Sequence, residues 1–222
     1  MPEDSRGDPL IEKPHKVTSH NNERMTFFSD GVFAITITLL VLEIKVPEVA
    51  ATELLKELLH LGPKILSHII SFIVLGIYWI AHHNIFMHIK RHDHVMLWLN
   101  TLFLMCIASL PFPTSLLGQY PDEQIAVVSY AVTLVITGIV LDLMWWYATT
   151  HRLLDEDTDP AFVAFVHRYN RIAPLLYLLS IVVSFFSLTV AKFIFIVVAV
   201  IYIVPNSLYR QHYKQLSRRL NQ

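Results

Sequence analysis

Three charged side chains, Arg24, Asp30 and Glu43, stand in the stretch RMTFFSDGVFAITITLLVLEI, residues 24–44. The run is long enough to cross a bilayer, and a charge inside a membrane helix costs roughly 2.5–3.5 kcal/mol on insertion scales. Asp30 sits a full turn or more inside it, so it needs a polar partner or a place on an ion pathway. Other polar groups recur beside later apolar runs: His82, His83 and Asn84, then Trp98 and Asn100. Groups of these types can build a buried hydrogen-bond network or hand protons along. They do not build an enzyme. No H-E-x-x-H, no G-x-S-x-G and no phosphate-cradling glycine loop is present, and no nucleophile–base pair converges. The acidic run Asp155, Glu156, Asp157, Asp159 lacks the glycine and terminal glutamate of a calcium loop and reads as solvated. His15 and His20 lie in a polar leading segment. No metal or cofactor is expected.

The elements that must hold these groups are apolar helices. Of 222 residues, 54% are hydrophobic and 16% charged, against about 25% charged in soluble domains; the mean hydropathy is +0.49. The charge deficit, gathered into long apolar runs, defines a membrane protein. A net charge of −1 gives no basic excess for nucleic acid, and the single cysteine, Cys106, can form no intramolecular disulfide. The leading residues lack an apolar core, so no cleaved signal peptide is expected.

The chain reads as an all-α membrane protein with six transmembrane helices, at about 25–45, 64–86, 94–114, 124–149, 172–188 and 191–209. A cytoplasmic tail of 1–22 precedes this 23–210 domain and a basic tail of 211–222 follows. AATELLKELLHL is too short to span and reads as an amphipathic helix on the membrane surface. PFPTSLLGQYPDE reads as a loop. The apolar run 172–205 is too long for one span, which sets a turn near Ser187–Lys192. With six spans and the N-terminus inside, 13 of the 17 Lys and Arg residues fall on the inner side. That bias puts both termini in the cytoplasm of a multi-pass cell (inner) membrane protein.

At 3.6 residues per turn, Phe28, Gly31, Ile35, Thr38, Leu39 and Leu42 share one face of the first helix, while Asp30, Phe33, Ile37 and Leu40 point elsewhere. Such a stripe suits lipid or a neighbouring helix. Around an axis shared by several copies it makes stacked apolar rings that gate by dewetting, with Thr38 adding hydroxyls. Glu43 could draw cations to an outer mouth or pair with Lys45. Arg24, Ser29 and Asp30, at the depth of His82, His83, Trp98 and Asn100, are expected to form a buried network that fixes the rotation of this helix.

Arg24, Phe28, Ser29 and Asp30 form R-x-x-x-F-S-D, followed by G-V-F-A-I and T-L-L-V-L-E-I. This pattern resembles the signature of the transmembrane protein 175 family of potassium channels in its single-repeat prokaryotic form. The resemblance implies a homotetramer whose first helices line a fourfold pore, with Ile35, Leu39 and Leu42 at the constriction and K+ as the permeating ion. It implies the same structural role for Phe28 and its Ser29–Asp30 neighbours. No TVGYG-like filter is present, so discrimination of K+ from Na+ is expected to be modest. The competing reading is a proton-conducting channel or proton-coupled carrier using Asp30 and the membrane histidines. Its expected broken helices and internal repeats are not evident.

Overall fold

The computed structural model describes residues 16–91, 93–155 and 157–203. Among these residues the regular elements are all helices, joined by short irregular connections, with one isolated bridge between Ile89 and Leu154. The elements are α1 (Lys16–Leu42), α2 (Leu54–His60), α3 (Gly62–His88), α4 (His94–Ser109), α5 (Pro111–Gln119), α6 (Gln124–Thr150), α7 (Pro160–Ser184) and α8 (Leu188–Ile203). Four stretches are long and apolar enough to cross a membrane: Arg24–Leu42, Gly62–His88, His94–Gln119 and Gln124–Thr150. At 1.5 Å per residue the 27 residues of α3 or α6 extend about 40 Å, against a hydrocarbon core of about 30 Å.

Several boundaries differ from those the sequence suggests, each for a local reason. α1 is already helical at Lys16, inside the segment expected as a tail, and it ends at Leu42. Its exit closes through a bond from the Ile44 amide to the Val41 carbonyl (3.0 Å); Pro47 then disfavours helix for the residue before it. The stretch expected as a loop after 110 is the helix α5. Pro111 and Pro113 lie in its first turn, where a missing N–H costs nothing, and the Leu110 carbonyl accepts from both the amide (3.2 Å) and the hydroxyl (2.8 Å) of Thr114. Only Leu110 separates α4 from α5, so the two form one bent span.

α7 begins at Pro160, earlier than its apolar run. Asp159 caps it, accepting from the Ala161 amide at 2.8 Å, and proline at the first helical position completes the start signal. Phe162, Val166, Asn170 and Ala173 then bury one face of this polar segment. The turn to α8 falls at 185–187, just ahead of the expected window. The expected sixth helix end and basic tail lie, from 204 onward, outside the described residues, as does 1–15 of the leading tail.

Links at each end of the bundle set which turns lie together. At one end the Lys90 amide donates to the Leu153 carbonyl (2.9 Å) and Lys90 pairs with Asp155 (3.6 Å). Asp93 caps α4 through the Met96 amide (2.9 Å) and accepts from the Tyr147 hydroxyl (2.6 Å). Burial works against the Asp93 charge, but these two bonds outweigh it and hold the carboxyl below its usual range. At the other end Lys192 donates to the Pro121 carbonyl (2.8 Å), joining the α5–α6 and α7–α8 turns. α2 buries no residue, and Leu55 and Leu59 lie exposed.

The core is centred on Phe33, Leu75, Phe103, Ile107, Tyr130, Leu134, Trp145 and Phe195. Inside it the Ser71 hydroxyl bonds both the Thr114 hydroxyl (2.8 Å) and the Tyr130 hydroxyl (2.9 Å), so α3, α5 and α6 share one polar knot. α7 and α8 run antiparallel: Ser180 donates to the Ala191 carbonyl (3.0 Å), and far along both helices Tyr202 donates to the Tyr169 carbonyl (2.6 Å). Gly138 of α6 admits the ring of Pro174, since a Cβ there would stand 2.6 Å from Pro174 Cγ. Gly138→Val is therefore expected to cost about 1–3 kcal/mol through overpacking against a rigid ring, read as a lowered unfolding temperature in detergent. Gly76→Ala, whose Cβ meets nothing within 4 Å, should leave that temperature unchanged.

Candidate functional site

α1 has two unlike faces. Met25, Ser29, Phe33, Thr36 and Leu40 recur at three- and four-residue spacing and are buried against the rest of the protomer. Opposite them Phe28, Gly31, Ile35, Thr38, Leu39 and Leu42 are exposed. The contrast is large: Phe33 is 1% exposed, whereas Ile35 is 61%, Leu39 43% and Leu42 67%. The chain therefore leaves the whole Ile/Leu/Thr stripe exposed. Thr38 donates its hydroxyl proton to the Ile35 carbonyl (2.8 Å), which leaves the oxygen lone pairs toward the exposed side.

The N-terminal part of the buried face is anchored by polar groups. Asn100 of α4 donates through Nδ2 to Ser29 Oγ (3.1 Å), and its Oδ1 accepts from His82 Nε2 of α3 (2.8 Å). Ser29 in turn donates to the Met25 carbonyl (2.9 Å). The His82 ring is sandwiched by Phe103 (centroids 5.3 Å apart, 5° between planes) and Phe86 (4.3 Å, 28°). Three helices are joined at one point, and each of the three side chains is at most 2% exposed. In a bilayer these groups have no water to turn to, so their mutual bonds decide how the helices seat.

Asp30 takes a separate partner. Its Oδ1 accepts from Trp79 Nε1 at 2.8 Å, and the Trp79 ring stacks on His83 (5.6 Å, 24°). The single network expected at this depth is thus two contacts on two sides of α1. Trp98 and Arg24 belong to neither. Trp98 is two residues from Asn100, so it points away, lies exposed and donates to His94 (3.2 Å); Arg24 is exposed, at the start of the apolar stretch of α1. Trp79 was legible in principle, because Trp79, His82, His83 and Phe86 fall on one helical face at i, i+3, i+4 and i+7.

At the C-terminal end of α1, Glu43 lies just past the helix, exposed. Its carboxylate accepts from Ser115 of α5 (2.7 Å) rather than pairing with Lys45. Sequence reasoning also passed over Asp142, a lone carboxylate within α6. It is held by Arg171 Nε (2.9 Å) and His167 Nδ1 (3.3 Å) of α7. Of the acidic run, Asp155 pairs with Lys90 and Asp159 caps α7.

A bundle of apolar helices, tied internally by buried hydrogen bonds and carrying one exposed apolar helix face, is a helical membrane protein. The chain belongs to the TMEM175 family. The profile of the family described as endosomal/lysosomal potassium channel TMEM175 matches residues 24–111, a segment holding both polar anchors. A potassium channel of Chamaesiphon minutus is 39% identical over 198 residues, covering 86% of this chain and 96% of that one. The crystal structure of a lysosomal potassium-selective channel TMEM175 homolog from the same organism superposes with a TM-score of 0.76 at 36% identity, covering 83% and 97% of the two chains. The human endosomal/lysosomal proton channel TMEM175 is 33% identical over 145 residues, 60% of this chain but 29% of that protein. The family is one of ion channels and not of enzymes.

Asn100→Leu strands the Ser29 hydroxyl and the His82 ring together. The expected cost is about 1–3 kcal/mol, measured by thermal or denaturant unfolding of the purified protein. Trp98→Phe, which touches only an exposed bond, should stay within about 0.5 kcal/mol of the parent.

Proposed function

We propose that the chain is a potassium-permeable channel of the cell membrane, assembled as a homotetramer around four copies of α1. The observation that carries this reading is the exposed Ile35–Thr38–Leu39–Leu42 stripe on a helix whose opposite face is anchored by the Ser29–Asn100–His82 bonds. The Chamaesiphon relatives are named as potassium channels, which supports the same ion. Six passes follow if α1, α3, the bent α4–α5, α6, α7 and α8 each cross once, with both termini in the cytoplasm and the turns at 120–123 and 185–187 outside.

In this assembly Ile35, Leu39 and Leu42 form three apolar rings, and the passage is narrowest there. An ion crossing them sheds or deforms its hydration shell, with no carbonyl cage to replace it. Potassium holds its water less tightly than sodium, so the rings favour potassium, modestly. The Thr38 hydroxyls, one turn from Ile35, offer oxygen where water is stripped. Four Glu43 carboxylates at the outer mouth raise the local cation concentration. Phe28 and Gly31 continue the same face below the constriction.

A second reading has a specific motive. The vertebrate relatives are named as proton channels, and Asp30 sits beside Trp79 and His83 near the inner end of α1. Proton passage along Asp30 and these groups would make the reversal potential follow a pH gradient at constant potassium.

Reconstitution into planar bilayers separates the readings. The channel is expected to pass potassium-dependent current with unsaturated, near-linear dependence on voltage. Leu39→Ala, which widens one ring, should raise conductance roughly twofold or more and lower the K+ to Na+ preference; an unchanged current would remove Leu39 from the passage. Asp30→Asn keeps the shape but weakens the acceptor for Trp79, and it is expected to reduce assembly or current. Asp30→Asn tetramers with unaltered potassium flux would count against the anchoring role.

A further inference from the structure

Glu43 is placed by another helix, which the pore reading does not require. It is the first residue beyond α1, on a turn closed by the Ile44–Val41 bond. A glutamate there has freely rotating side-chain bonds and lies two residues from the cation Lys45. Its carboxylate is nonetheless committed: Ser115 donates to Oε2 at 2.7 Å, within the range for a hydroxyl bonded to an anion. Behind it, Gln119 Nε2 donates to Ser115 Oγ at 2.9 Å. The hydroxyl thus accepts from an amide while donating to a carboxylate, an arrangement in which each bond strengthens the next.

Ser115 and Gln119 are one turn apart on α5, and α5 is itself fixed. Thr114 is tied to Ser71 and to the Leu110 carbonyl, and Gly118 lies against Lys64 and Ser67 of α3 with no room for a Cβ. A rigid helix therefore presents two polar groups to a carboxylate on a loose turn. Lys45 lies two residues further along the same segment, and Lys64 of α3 packs against the Gly118 side of α5.

We propose that Ser115, backed by Gln119, is a positioning residue for permeation: it holds the Glu43 carboxylate at the outer mouth and keeps it from Lys45. The proposal rests on the pore reading above. Without the tether the carboxylate samples outward rotamers, and the anionic ring at the mouth is diluted.

The test is single-channel potassium conductance of the reconstituted full chain at about 30 mM and about 1 M KCl, because a charge effect is screened to about 3 Å at the higher salt. Ser115→Ala is expected to lose roughly half of the low-salt conductance and to match the parent at high salt. Ser115→Thr should retain the parent values. Ser115→Ala combined with Glu43→Gln should conduct like Glu43→Gln alone, since the two act through one group. Gln119→Leu, at an exposed site, should give a smaller low-salt loss and supplies the test if Ser115→Ala assembles poorly. Parent-like low-salt conductance of Ser115→Ala, beside a clear loss in Glu43→Gln, overturns the positioning role and leaves the pore reading intact. So does a Ser115→Ala loss that persists at high salt or adds to that of Glu43→Gln. If Leu39→Ala and Glu43→Gln both conduct as the parent does, the pore reading itself fails.

Discussion

The absence of water in the bilayer core governs this structure. A buried serine, asparagine or histidine in a soluble protein can fall back on solvent; here none can. The Ser29 hydroxyl, the Asn100 amide and the His82 ring are satisfied only when α1, α3 and α4 meet in one arrangement. Each such bond between membrane helices is worth only about 0.6–2 kcal/mol, so the set does not make the fold by strength. It makes it by exclusion. Rotating α1 by one residue, about 100°, would bring Asp30 to the Asn100 position and turn Phe33 out of the Phe103–His82 stack. The apolar stripe that faces outward is the complement of this choice.

Much of this arrangement can be read from residues 24–44 and the polar residues at matching depth. Ser29, His82 and Asn100 stand out because each is a polar group in an apolar run. Trp79 does not, because tryptophan near a helix end also suits a membrane interface, and only the rotation of α3 against α1 shows which use prevails. The same limit hid Ser115: a serine between two prolines and a glycine carries every local mark of a loop. α5 is helical because its prolines occupy a first turn and its Thr114 and Gly118 pack on α3, which are tertiary facts. The early start of α7 was written locally, in Asp159–Pro160, but the polar stretch His167–Arg171 cuts its short apolar opening off from the long apolar run that marks a span. Asp142 was equally visible as a lone charge; its partners were not, since Arg171 and His167 lie on a segment that composition assigns to a loop.

α7 shows how a break in a membrane helix is repaired. Pro174 supplies no N–H for the carbonyl of Asn170 and crowds the preceding turn. Tyr202 of α8 enters the gap: it accepts from the Ala173 amide (3.3 Å) and donates to the Tyr169 carbonyl (2.6 Å). A side chain thereby stands in the backbone ladder, a recognised cause of helix bending. The cost of the proline is offset only while α8 stays docked, which couples the last two described helices more tightly than their apolar contacts alone. Gly138 opposite Pro174 extends the same coupling to α6.

A passage walled by side chains makes a stricter demand on rotation than one walled by backbone carbonyls. A side-chain tip stands about 5–6 Å from its helix axis, so a turn of 30° moves it by about 3 Å, comparable to the width of a bare cation. Packing of Phe33, Thr36 and Leu40 on one side resists such a turn, but a helix held only at its middle can still twist toward its ends. α1 is held at two points. Ser29 and Asp30 fix its middle through α4 and α3, and Glu43, just past its C-terminal end, is tied to α5. Asp30 and Glu43 are separated by fewer than four helical turns, and α4 and α5 belong to a single bent span. The two ties therefore refer to one rigid neighbour as well as to α3. Ile35, Leu39 and Leu42 lie between them, where the helix has least freedom to rotate.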